Sequence, residues 1–154
     1  MGVMKKLFLI VCGIIMLFVL SVERKYDILG KESVYDVSMV AGFSFVVEDV
    51  NEDFIGISLR NLSAENLCWG TEYDLEKCVG GIWYSVEPQI PEGTVMVWED
   101  IMYVLKSGED KEISIPLQYY GKLANGTYRV VKQFFFEGQK MSEGSYVAAE
   151  FVVE

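Results

Sequence analysis

Histidine is absent from all 154 residues of this chain. That removes Ser-His-Asp and Cys-His triads, HExxH zinc sites and every imidazole acid–base mechanism together. Basic residues are scarce as well: 13 Lys and Arg stand against 23 Asp and Glu, a net charge of −10. Attraction to a phosphate backbone needs a basic face, so the composition argues against DNA or RNA as a partner. Three prolines are too few for a proline-rich linker. What the chain does have is apolar mass. Hydrophobic residues make up 51% and aromatic residues 14%, which excludes a disordered chain and supplies one domain's worth of core.

The apolar residues begin near the N-terminus. Residues 1–6 hold Lys5 and Lys6 and no acid, and residues 7–20 (LFLIVCGIIMLFVL) carry no charged side chain. As a helix that stretch spans roughly 21 Å, short of the roughly 30 Å hydrocarbon core of a bilayer. A basic start followed by a short apolar run is the pattern of a secretory signal, so residues 1–21 are expected to be a signal peptide or membrane anchor in a hydrophobic helix. Val19 and Ser21 suit the positions before a cleavage site, yet no Ala-x-Ala follows, which leaves cleavage and anchoring both open. A surface helix of a cytosolic protein would show a polar face every 3.6 residues, and this run has none. Cys12 follows Leu9, Ile10 and Val11 instead of the small residues of a lipobox, so it is expected to be a buried apolar thiol. Residues 22–39 are polar and are expected to form a stalk between membrane and domain.

From residue 40 to residue 154 the pattern is that of β-strands. Ile55, Ile57 and Leu59 alternate with Gly56, Ser58 and Arg60, the period of a half-buried strand. Residues 67–79 form a long aromatic-rich run closed by Gly80 and Gly81, whose tolerance of positive φ suits a tight hairpin into residues 82–86. Residues 95–105 are expected to form another strand, Ile113, Ile115 and Leu117 alternate again, and Asn125-Gly126 marks a turn before residues 128–136. Val147, Ala149, Phe151 and Val153 share one side of a last strand. Seven to eight strands with no amphipathic helix between them must pair mostly antiparallel, which points to an all-β sandwich.

Three stretches together resemble the bacterial immunoglobulin-like domains of exported, cell-surface proteins of Gram-positive bacteria. They are Trp69-Gly70-Thr71-Glu72-Tyr73-Asp74-Leu75-Glu76-Lys77 leading to Trp83-Tyr84; Tyr119-Tyr120-Gly121-Lys122-Leu123 joined to Gly126-Thr127-Tyr128-Arg129-Val130; and Tyr146-Val147-Ala148-Ala149-Glu150-Phe151. The resemblance covers residues 40–154 and implies an Ig-like sandwich serving as a non-catalytic binding or spacer module. It also implies a tyrosine corner, with the Tyr128 ring in the core, its hydroxyl bonded to upstream backbone, and Trp83 beside it. The inter-sheet disulfide of antibody domains has no counterpart here.

Cys68 and Cys78 are ten residues apart, about 33 Å along one extended strand, whereas a disulfide needs Cα atoms about 5–6 Å apart. They are expected to be free thiols and a poor metal site. Asp49, Asn51 and Asp53 open like an EF-hand loop, but Phe54 stands where glycine is needed and Arg60 where a bidentate glutamate belongs, so a solvated hairpin is expected. Lys132 is expected to pair with Glu150 across strands, with an anion-binding spot as the sharper alternative. Trp69, Tyr119 and Tyr120 are the aromatics expected at an exposed ligand or interaction patch, most others being core. Asn61-Leu62-Ser63 and Asn125-Gly126-Thr127 match the glycosylation pattern and are expected to mark turns.

The sequence therefore predicts an extracytoplasmic, membrane-tethered or secreted Ig-like domain. It would bind a protein or envelope partner at the cell surface, with no cofactor and no catalytic or metal residues. The alternative is a glycan- or wall-polymer-binding module using exposed aromatics. The candidate interaction residues are Trp69, Tyr119, Tyr120 and Lys132.

Overall fold

The computed structural model describes residues 26–154. The expected signal or anchor segment, Cys12 and the first residues of the expected stalk lie outside the described residues. Ten strands follow one another: β1 (Ile28–Glu32), β2 (Phe43–Val50), β3 (Phe54–Asn61), β4 (Leu67–Trp69), β5 (Asp74–Val79), β6 (Ile82–Glu87), β7 (Tyr103–Leu105), β8 (Asp110–Pro116), β9 (Gly126–Phe136) and β10 (Ser145–Val153). One turn of 3₁₀ helix, Met141–Glu143, precedes β10.

The alternation in β3 has a direct cause in the small sheet, ordered β2-β3-β8 and antiparallel throughout. Ile55, Ile57 and Leu59 are each 1% exposed or less, and register sets Ile57 opposite both Val47 and Ile113. These side chains face a seven-stranded sheet that runs β1-β6-β5-β9-β4-β7, with β10 on the other side of β9. Trp69, Leu75, Tyr128, Val130, Phe134 and Phe151 of that sheet close the core against Phe45, Ile55, Ile57, Leu59 and Ile115 of the smaller one. Fully burying each such side chain contributes about 1.5–3 kcal/mol, so packing between the two sheets holds the sandwich together. Cys68 and Cys78 are free. They pair opposite Phe135 and Thr127, eight positions apart on β9.

Gly80 and Gly81 turn the β5–β6 hairpin with φ of 61° and 86°, the doubly positive conformation that glycine adopts without strain. The β2–β3 turn is closed by Asn51, whose Oδ1 accepts from the backbone N–H groups of Asp53 and Phe54 at 2.9 and 3.0 Å. Asn61 is fully buried. Its Nδ2 donates to the carbonyls of Glu65 and Leu105, and its Oδ1 accepts from the Ser63 N–H and hydroxyl, so its glycosylation pattern is taken up by a turn.

Four expectations need correction. The expected stalk is partly fold: β1 pairs with β6, and residues 33–38 run from β6 to β10 across the outer face of the large sheet, over Arg129. Ser33 N–H donates to the Trp83 carbonyl and Ser38 N–H to the Tyr146 carbonyl. Tyr35 stacks on Tyr146 at 4.7 Å between centroids and donates its hydroxyl to Asp74. Polar composition misleads here because an edge strand needs no apolar face. Trp83 is not core bulk beside Tyr128. Register places it in a row with Cys78 and Thr127, on the opposite face from the Tyr84, Lys77 and Tyr128 row, where the Arg129 guanidinium lies 4.4 Å from its ring centroid. The expected strand over residues 95–105 shrinks to β7, because β4, its partner, offers only three residues to pair. The run 67–79 is two strands. Both pair with the same side of β9, and residues 70–73 bulge out between them.

The tyrosine corner forms as expected. Tyr128 is fully buried, and its hydroxyl donates to the Ala124 carbonyl at 2.6 Å. The same hydroxyl lies 2.9 Å from Asp27 Oδ2, a carboxylate that also accepts from Lys77 Nζ at 3.1 Å and from the Ala124 N–H at 2.8 Å. Asp27 thereby ties the N-terminal strand to the corner.

Candidate functional site

The site grows out of the bulge at residues 70–73. Where β4 and β5 part, two carbonyls lose their ladder partners, and Lys132 of β9 supplies donors in their place. Its Nζ donates to Gly70 O at 2.9 Å and Glu72 O at 2.6 Å. Lys132 is 3% exposed. It does not pair with Glu150, which register sets opposite Arg129, while Lys132 stands opposite Val147. A buried backbone carbonyl without a donor costs about 1–3 kcal/mol, which accounts for a lysine at an inward position of a central strand.

Above the bulge runs the connection between β6 and β7. Thr71 Oγ1 donates to the Glu99 carbonyl at 2.7 Å, and Trp98 packs edge-on against Tyr73, centroids 5.0 Å apart. These two anchors hold the loop across the open side of the sandwich. Beneath it lies a cavity of about 430 Å³ lined by Trp69, Tyr73, Trp98 and Tyr103, by Ile113 and Ile115 of β8, and by Lys111 and Lys132. Trp69 and Tyr103 stack at 5.6 Å, with Lys111 Nζ 5.4 and 5.2 Å from their ring centroids. Tyr73 donates its hydroxyl to the Pro116 carbonyl at 2.7 Å, and burial raises its ionisation to about 12.

The four residues expected at an exposed patch fall in different places. Trp69 and Tyr120 are each 2% exposed and belong to the core, although Trp69 also lines the cavity. Tyr119 is 38% exposed and lines a smaller neighbouring hollow with Tyr73 and Trp98. Lys132 and Trp69 do share one cavity. Trp98, Tyr103 and Lys111 carry no motif that marks them in the sequence. Trp98 alone offered a signal, a lone indole within a run bounded by Pro91, Gly93 and acids.

Burial pushes the Lys132 ammonium down to about 8 from its ordinary 10.5, with Glu72 opposing the change. A depressed ammonium means that the fold binds fewer protons than the unfolded chain between those two values. Stability therefore rises with pH through that window and is at its lower level below it. The neutral amine keeps two donors and can still satisfy both carbonyls. Cys68, the buried tyrosines Tyr73, Tyr120 and Tyr128, and the half-buried Tyr35, all held protonated chiefly by desolvation, act oppositely from about pH 9 upward. Denaturant titrations are expected to show a gain of about 1 kcal/mol from pH 8 to pH 9, followed by a fall above pH 10. Lys132→Met should flatten the gain; an unchanged rise in that variant would assign it to another group.

Two antiparallel sheets, a tyrosine corner and a core without disulfides define an Ig-like β-sandwich. The chain belongs to the bacterial Ig-like domain family, whose model matches residues 44–152. No curated protein matches it. The matched range takes in the bulge, the loop and Lys132, and leaves Asp27 and β1 outside.

Proposed function

We propose that this chain is an exported, membrane-tethered, non-catalytic interaction domain that meets a protein partner at the bacterial cell surface through the open side of its sandwich. Membership in a bacterial Ig-like family supports an interaction module, and such domains commonly serve on extracellular or surface proteins. The basic and apolar residues 1–20 support export. The observation that carries the choice of surface is the loop before β7. It turns Val95, Val97 and Met102 outward at 77%, 80% and 61% exposure, while Thr71 and Tyr73 pin it from beneath. Apolar side chains held outward by a fixed loop mark an interaction surface better than the same residues on a free one. The glycan alternative needs two or three exposed coplanar rings, and of Trp69, Tyr119 and Tyr120 only Tyr119 reaches the surface.

Fractionation and intact masses of the full-length chain expressed in a Gram-positive host test the cellular half of this reading. Uncleaved protein in the membrane fraction is the expected outcome. A product in the medium starting near Val22 would remove the tether, and full-length protein soluble in the cytoplasm would overturn export.

A further inference from the structure

The geometry points to the cavity beneath the β6–β7 connection as a binding site for a small organic anion with a flat apolar body. This rests on the reading that the open side is the working surface, and it adds a ligand class to it. At about 430 Å³ the space suits a molecule of one or two rings. Its walls are aromatic on one side, where Trp69 and Tyr103 stack, and aliphatic on the other, where Ile113 and Ile115 stand on β8. Trp98 covers it from the loop. A flat ring system would have an apolar surface above and below.

Charge selects the anion. The protein carries −10 overall, yet the lining of this cavity holds Lys111 and Lys132 against Glu99 alone. The cavity of about 370 Å³ near Tyr26 is lined by Glu52 and Glu154 against Lys122. That of about 360 Å³ on the far side of the bulge has Glu72 and Asp74 against Lys132. A basic lining in an acidic protein concentrates a counter-charged ligand there. The two cations are placed differently. Lys111 is exposed and held over the Trp69 and Tyr103 rings at the rim. Lys132 lies within, and of its three ammonium donors two serve Gly70 and Glu72, which leaves one to give. An anionic group lying between them would gain a charge-assisted hydrogen bond in a largely apolar setting, where such bonds are strong.

Naphthalene-2-sulfonate and its uncharged counterpart naphthalene-2-sulfonamide separate this from simple apolar binding. Full-length protein in phosphatidylcholine nanodiscs is dialysed to equilibrium against each, with empty nanodiscs as the blank. The sulfonate is expected to bind saturably, one per chain, and about tenfold more tightly than the sulfonamide, the worth of one charge-assisted contact. Lys111→Gln changes an exposed side chain and leaves the fold intact, which near-UV circular dichroism checks. It should weaken the sulfonate several-fold and leave the sulfonamide within twofold, whereas Trp98→Ala should weaken both. Equal affinity for the two compounds, no saturable binding above the blank, or a Lys111→Gln variant that binds the sulfonate as well as the parent would each overturn the inference. Crosslinking from Val97, an exposed residue at the edge of the same cavity, reads contact with a protein and not with an anion, so failure of anion binding leaves the interaction surface standing.

Discussion

Replacing Asp27 by alanine is expected to lower the free energy of unfolding by about 3 kcal/mol, the scale on which losing one partner of a buried ion pair is felt. The Asp27 side chain is 2% exposed and that of Lys77 13%. The substitution leaves the Lys77 ammonium beside the Tyr128 ring, 4.8 Å from its centroid, without its counter-charge. It also removes the acceptor of the Ala124 N–H, while the Tyr128 hydroxyl keeps the Ala124 carbonyl. Asp27→Asn keeps the shape and an acceptor and should cost roughly half as much. Urea denaturation of both variants measures this. A loss below about 1 kcal/mol for the alanine variant would mean that the N-terminal segment is not anchored at the corner and that residues 26–38 hang as a stalk after all.

The second large effect concerns the pair hidden beneath that segment. Arg129 Nε donates to Glu76 Oε2 at 2.6 Å, with side chains 10% and 1% exposed. Arg129 also lies over the Trp83 ring and within 3.3 Å of the Ser33 hydroxyl. Glu76→Leu alone strands a guanidinium against apolar neighbours and is expected to cost about 3–5 kcal/mol. Removing both charges, as Glu76→Leu with Arg129→Met, should return most of that loss, because two well-packed apolar side chains carry no desolvation cost. A double-mutant cycle by denaturant unfolding reads the coupling. Additive single and double losses would show that the two side chains act separately. By contrast, Arg60 and Asp110 form an ion pair with more than half of each side chain in water, and removing it should change stability by well under 1 kcal/mol.

The parts of this molecule governed by local periodicity were legible in its sequence. Ile55, Ile57 and Leu59 announced β3, Gly80-Gly81 announced the β5–β6 hairpin, and the Leu123 to Val130 pattern announced the corner, because each depends on neighbours within a few residues. What was not legible depends on partners distant in sequence. The apolar residues of 95–105 look like a strand, yet strand formation needs a ladder, and only Tyr103–Leu105 finds one on β4. Residues 28–32 look like linker because a solvent-facing edge strand is free to be polar. Trp83 has the bulk of a core residue, and only register shows that it faces outward. The site suffered the same way. Lys132 stood out as a lone basic residue at inward parity, but its partners are two backbone carbonyls freed by a bulge, and backbone groups leave no trace in side-chain composition. Trp98 on the loop, Tyr103 on β7 and Lys111 on β8 meet Trp69 of β4 only around a shared cavity, so no spacing rule joins them.

Site-specific photo-crosslinking on intact cells decides whether this surface interaction domain works through its open side. Full-length chains carry the photoreactive residue at Val97 on the loop or at Val152 on β10, the two being 80% and 62% exposed. A discrete adduct of one added mass is expected from position 97, reached by a crosslinking reagent confined outside the cell, and none from position 152. The same adducts from both positions, or none from position 97 under conditions where the protein is displayed, would contradict it.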